Sequence, residues 1–140
     1  MSLDSAALQQ VRTMPLFAQL DDTQLGCIEP GEVIDLPAGA VLVSEGERFP
    51  FFLVVLAGEL RLTRTYDRQS VLMGSIKPGS YTGETTLLLD VPWMATARVA
   101  KSVKLFRVGE DEFWHMLSTC RTVARELFRS AANKVRNMEG

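Results

Sequence analysis

Between Gly31 and Val108 the apolar segments are short, and turn-forming residues cut each one off before it reaches helical length. Glu32 to Leu36 ends at Pro37-Ala38-Gly39, Val41 to Val43 ends near Gly46, and Phe51 to Ala57 ends at Gly58. Leu60 and Leu62 alternate with Arg61, Thr63 and Thr65, the period of a strand with one face in water. Asp67-Arg68 is a hairpin tip from which Val71 to Ile76 returns, and Ala95 to Ala100 and Val103 to Val108 complete the set. About eight strands with turns this frequent predict a sandwich or barrel.

Helical patterns flank this region. Leu8, Val11 and Arg12 predict a short N-terminal helix stopped by Pro15, and Asp21-Asp22-Thr23 predicts a second one through about Cys27, because such side chains cap free N–H groups. After the strands, Glu110-Asp111-Glu112 places negative charge where a helix dipole favours it, and Phe113, Trp114, Met116 and Leu117 follow as an amphipathic turn. Ser118 or Thr119 is the expected cap of a further helix. In it Cys120, Ala124, Leu127, Ala131, Val135 and Met138 recur at spacings of three or four, with Val123 and Phe128 beside them. Such a seam docks on the strands or pairs with its twin, and a parallel homodimer through these residues is the expected association.

The chain of 140 residues predicts one domain over 1–140, with the strand-rich core and short helix at about 14–117 and the C-terminal helix at 118–138. Hydrophobic residues at 46% and charged residues at 23% are ordinary for a globular protein, and no apolar run approaches the roughly 18 residues of a membrane span. No membrane partner is expected. Cys27 and Cys120 lie far apart without metal or redox spacing, which fits a reduced, cytoplasmic protein.

Catalytic constellations are missing from the pattern. His115 is the sole histidine and falls in a helix beside Trp114, so serines and threonines of the strand region have no base, and the clustered histidines of a metal-binding cupin are lacking. Asp21-Asp22 and Asp111-Glu112 are explained as helix-start residues. The expectation is a non-enzyme with no metal. Arg121, Arg125 and Arg129, spaced four apart, form a basic stripe, but no recognition helix or aromatic platform accompanies them, so direct nucleic-acid binding is not expected.

One segment carries ligand chemistry. In KPGSYTGETTLLLDVPWMATARVAK, Lys77 to Lys101, a Lys-Pro-Gly-Ser turn leads to Gly83, a short helical run from Thr85 to Leu89, and Pro92. Gly83 can take backbone angles closed to other residues, and a helix start presents free N–H groups. The order resembles the phosphate-binding cassette of cyclic-nucleotide-binding domains: F-G-E, a short apolar helix, then P-R-A/S-A. Pro37-Ala38-Gly39, Ser44-Glu45-Gly46-Glu47, Phe52 to Leu60, Ile76 to Gly79 and Gly83-Glu84 also resemble that family's successive turn motifs in the same order, over about Met14 to Asn137.

The resemblance implies a mainly β fold with flanking helices: a jelly-roll β-roll (double-stranded β-helix) plus N-terminal helices and a long C-terminal helix that senses the cassette. It implies Glu84 as a ribose-binding carboxylate behind Gly83, Thr85 at the phosphate, and Met94, Ala95 and Thr96 on the strand beyond. Trp93 departs from the pattern, standing where the family has arginine. An indole N–H cannot replace a charge-assisted bond, so cAMP or cGMP is expected to bind about ten- to a hundredfold more weakly. Arg98, an odd number of residues further on, points to the opposite face and is no substitute. Three readings of Trp93 stay open: a plug in the pocket, a stacking surface for another planar ligand, or a neutral residue that leaves weak cyclic-nucleotide binding.

The function so implied is a sensory module of a bacterial signal-transduction protein. ARELFRSAANKVRN is similar to the helix that connects such domains to a sensor histidine kinase. The alternatives are a ligand-free dimerisation scaffold, or the effector domain of a transcription regulator whose DNA-binding part lies elsewhere.

Overall fold

The structure, a computed structural model, describes residues 5–18, 20–26 and 31–139. Cys27 lies outside them. Helices α1 (Ser5–Arg12) and α2 (Asp22–Leu25) precede strands β1 (Glu32–Leu36), β2 (Val41–Val43), β3 (Phe51–Tyr66), β4 (Gln69–Ile76) and β5 (Tyr81–Thr82). Helix α3 (Glu84–Leu89) is followed by β6 (Thr96–Gly109), α4 (Glu110–Thr119) and α5 (Arg121–Glu139). As expected, α1 ends before Pro15. Asp21 caps α2: its carboxylate accepts from the Gln24 N–H at 2.8 Å while Gln24 Oε1 accepts from the Asp21 N–H at 3.0 Å, a reciprocal pair that satisfies two free donors.

All strand pairs are antiparallel, in the order β1-β6-β3-β4, with β2 added to β6 and β5 to β3. The mainly β roll with flanking helices is therefore the observed architecture. Its strands are fewer and longer than expected. Phe51–Ala57 and Leu60–Tyr66 are one strand, because Gly58, at φ 82°, makes an irregularity inside the β3–β6 ladder rather than a turn between strands. Only glycine fits there, since a Cβ would collide with the Ser102 carbonyl. The stretches expected at Ala95–Ala100 and Val103–Val108 likewise merge into β6, which begins one residue later, at Thr96. The hairpin tip is as expected: Asp67 and Arg68 both have positive φ, at 49° and 67°, the backbone of a two-residue hairpin loop.

Period-two alternation sends β3 in two directions. Phe52, Val54 and Leu56 face the helices and pack with Phe106, Val108, Phe113, Met116, Val123 and Leu127. Leu53 and Val55 face the interior of the roll, in clusters with Val43, Trp93 and Ala97 or with Leu60, Val99, Val103 and Leu105. Both faces of β3 are thus covered, which explains its unbroken run of apolar residues.

Of the two arrangements open to the α5 seam, docking and pairing, the structure shows docking. Cys120, Val123, Leu127 and Ala131 are buried, and Cys120, Val123 and Leu127 belong to the domain's own core. Ala124 and Val135 are half-buried, and the side chain of Met138 is outside those described. A twin cannot pair through Cys120, Leu127 and Ala131 while the helix stays docked. Phe128 instead points outward, 52% exposed. Ser118 and Thr119 turn back onto α4, donating to the His115 carbonyl at 2.7 and 3.1 Å, and Cys120 is the residue that precedes α5.

Candidate functional site

Residues 77–96 run along one edge of the roll. Lys77 to Ser80 form a tight turn, with the Ser80 N–H donating to the Lys77 carbonyl at 3.0 Å and Gly79 at φ 92°. The turn is stitched to β3 by Gly79 N–H to Val55 O and Val55 N–H to Ser80 O, each 3.0 Å. Tyr81–Thr82 then pairs with Leu53 and Val54 and delivers the chain to Gly83. Gly83 has φ 95°, and a Cβ would strike the Phe51 carbonyl, so glycine alone permits the step into α3. At the far end Asp90 adopts φ 53° and returns its N–H to the Thr86 carbonyl, while its carboxylate accepts from Arg48 at 2.8 Å.

Trp93 is fixed by the loop before β3. Its N–H donates to Glu47 O at 2.9 Å, its carbonyl accepts from Gly46 N–H at 2.8 Å, and its indole N–H donates to Phe49 O at 3.0 Å. The side chain is 5% exposed and packs with Val43, Leu53 and Ala97, edge-on to Phe49 at 6.1 Å between ring centroids. Beside it a cavity of about 260 Å³ remains, lined by Leu62, Met73 to Ile76, Thr82, Gly83, Thr85, Thr86, Trp93, Met94, Ala95, Lys134 and Asn137. Trp93 forms a wall of this cavity and leaves it open.

Of the residues expected at the site, Gly83, Thr85, Trp93, Met94 and Ala95 come together around the cavity. Thr96 is in the β6 ladder, and its hydroxyl accepts from the Glu45 N–H at 3.0 Å. Glu84 is turned toward α5. It is fully buried, its Oε1 accepts from Ser130 Oγ at 3.2 Å and pairs with the Lys134 ammonium, and its Oε2 has no partner. The Thr85 hydroxyl is also buried without a partner. Arg98 is exposed on the outer face of β6 between buried Ala97 and Val99, as the alternation requires.

Sequence reasoning did not find Lys134 and Asn137. No local motif links positions 84 and 134; the available signal was helical spacing, since Lys134 lies three residues after buried Ala131 and four after Ser130. Tyr81 completes the α3–α5 junction. Burial is the main cause raising its phenol above the usual tyrosine range, the Ser130 hydrogen bond opposes this, and the nearby charges of Glu84 and Glu126 add to it.

A roll, a Gly83-led helix, a cavity against it and a C-terminal helix packed over both are the parts of one family. The sequence pattern of the cyclic nucleotide-binding domain matches residues 33–120. The chain belongs to that family. The regulatory domain of Toxoplasma gondii PKA, in co-crystal with cAMP, superimposes with a TM-score of 0.74 at 25% identity, over 81% of this chain and 46% of that one. The N-terminal domain of a transcriptional regulator from Streptomyces coelicolor gives 0.69 at 30% identity, with 92% of each chain covered. A cAMP-dependent protein kinase regulatory subunit of Emericella nidulans is 31% identical over 113 residues, 80% of this chain and 27% of its own. This cyclic nucleotide-binding domain spans about a quarter of the length of such curated relatives.

Among the described residues no group of three or more histidines, cysteines, aspartates and glutamates could hold a metal, and no helix is long and apolar enough to cross a membrane. His115 is exposed on α4.

Proposed function

We propose that this cyclic nucleotide-binding domain is a non-catalytic, cytoplasmic sensor module in which occupancy of the cavity beside Trp93 biases the position of α5. One observation carries the reading: α5 contributes Lys134 and Asn137 to the cavity wall and holds Glu84 of α3 through Ser130 and Lys134. A ligand that shifts α3 by a fraction of an ångström must therefore rearrange contacts of α5, the C-terminal helix of the fold. The mechanism is a population shift, and its size is bounded by the ligand's preference for one arrangement of α5 over the other.

The ligand proposed is a cyclic mononucleotide, cAMP or cGMP, held weakly because Trp93 brings no charge. For the output, a transcription regulator is favoured by the mutual 92% coverage with the Streptomyces domain. The histidine-kinase connection has only the segment ARELFRSAANKVRN behind it, and the relatives add no support. A homodimer, if formed with α5 docked, uses the outward face carrying Phe128.

Thermal unfolding with and without millimolar cAMP and cGMP tests the reading. Ligand at 100 times its dissociation constant adds about 2.7 kcal/mol of stability, so a rise in melting temperature is expected. No shift with either nucleotide would favour the ligand-free scaffold.

A further inference from the structure

We propose that Lys134 is the cation that this cavity offers an anionic ligand, supplied from α5 in place of an arginine after α3. The proposal rests on the reading of the cavity as a ligand site. Lys134 is the sole charged side chain among the described lining residues. Other cations nearby are accounted for: Arg48 is engaged with Asp90 at 2.8 Å, and Arg98 is exposed on the far face of β6. Trp93 has placed its one polar side-chain atom on the Phe49 carbonyl.

The lysine is held ready rather than neutralised on all sides. It meets Glu84 at Oε1, the oxygen that also accepts from Ser130, and its side chain keeps 35% of its surface accessible. An ammonium has three donors, so one can face Glu84 while others face a ligand oxygen. The Thr85 hydroxyl, buried on the same cavity wall without a partner, is a second donor awaiting an acceptor. A phosphate ester between Thr85 and Lys134 engages both, whereas a neutral ligand leaves the lysine with Glu84 as its one charged partner. The consequence is that α5 itself reads the charge of the ligand, through Lys134.

Calorimetric titration with cAMP, and with adenosine as the same base and sugar without the phosphate, tests the proposal. Lys134→Met alone leaves buried Glu84 unpaired and risks misfolding, so the comparison is Glu84→Gln against Glu84→Gln/Lys134→Met, with each variant's fold checked by its melting transition. Removing the lysine in this background is expected to weaken cAMP about ten- to a hundredfold and to leave adenosine unchanged. Lys134→Arg, which keeps the charge, is expected to retain cAMP binding. Equal cAMP affinity with and without the lysine overturns this proposal while leaving the sensor reading intact. Absence of cAMP and cGMP binding by the unmodified protein overturns both.

Discussion

The indole N–H of Trp93 donates to the carbonyl of Phe49 at 3.0 Å, so this side chain is tied to a loop of its own domain. It has become part of the core while still bordering the cavity.

That double role makes substitutions at Trp93 informative. Trp93→Ala should cost about 3–5 kcal/mol in urea denaturation, the range for emptying a buried aromatic site. Trp93→Arg should also destabilise, because a guanidinium cannot stay among Val43, Leu53 and Ala97 and must turn to the cavity. In the folded fraction it should tighten cAMP by about tenfold or more. Full stability with unchanged affinity would show that position 93 does not face the ligand site.

Gly83→Ala places a side chain at φ 95° and against the Phe51 carbonyl. We expect a loss of at least about 1–3 kcal/mol together with loss of any nucleotide-induced stabilisation, since α3 can no longer start where it does. Gly39→Ala, at φ 92° but with open space around it, is the control: it should be destabilising without affecting the cavity.

On α5, Leu127→Ala should cost about 2–5 kcal/mol, whereas Phe128→Ala should change monomer stability by less than about 0.5 kcal/mol. Leu127 is buried in the core cluster and Phe128 is not. Sedimentation of the Phe128 variant then reports on association separately from folding. A dimer lost through Leu127→Asp without unfolding would contradict the docked helix.

Alkaline stability depends on Tyr81. Its phenol titrates higher in the folded state than in the unfolded chain, chiefly because burial disfavours the charged form. The folded state therefore binds more protons above the unfolded value of about 10, and stability present below that pH is lost as pH rises further. Tyr81→Phe, which has no proton to lose, should show a shallower decline above about pH 10. An identical alkaline slope in both proteins would contradict the assignment.

Much of this was legible from residues alone, and the gaps have physical causes. Pro78-Gly79 and Asp67-Arg68 could be placed because their backbone requirements are local. Gly58 was misplaced because positive φ serves a bulge inside a strand as well as a turn between strands. The α5 seam showed that one face is buried but not against what, since the same spacing serves docking and pairing. Gly83, Thr85, Trp93, Met94 and Ala95 reach the cavity because their motif is continuous. The partners of Glu84 come from a helix distant in sequence, and a carboxylate's direction depends on which long-range cation reaches it.

Hydrogen exchange across α5, measured with and without saturating cAMP, tests the central claim most directly. If the cavity is read by this helix, amides around Leu127 to Asn137 should change protection on binding, along with those of α3. Ligand binding that alters exchange in α3 but leaves α5 untouched would contradict the account.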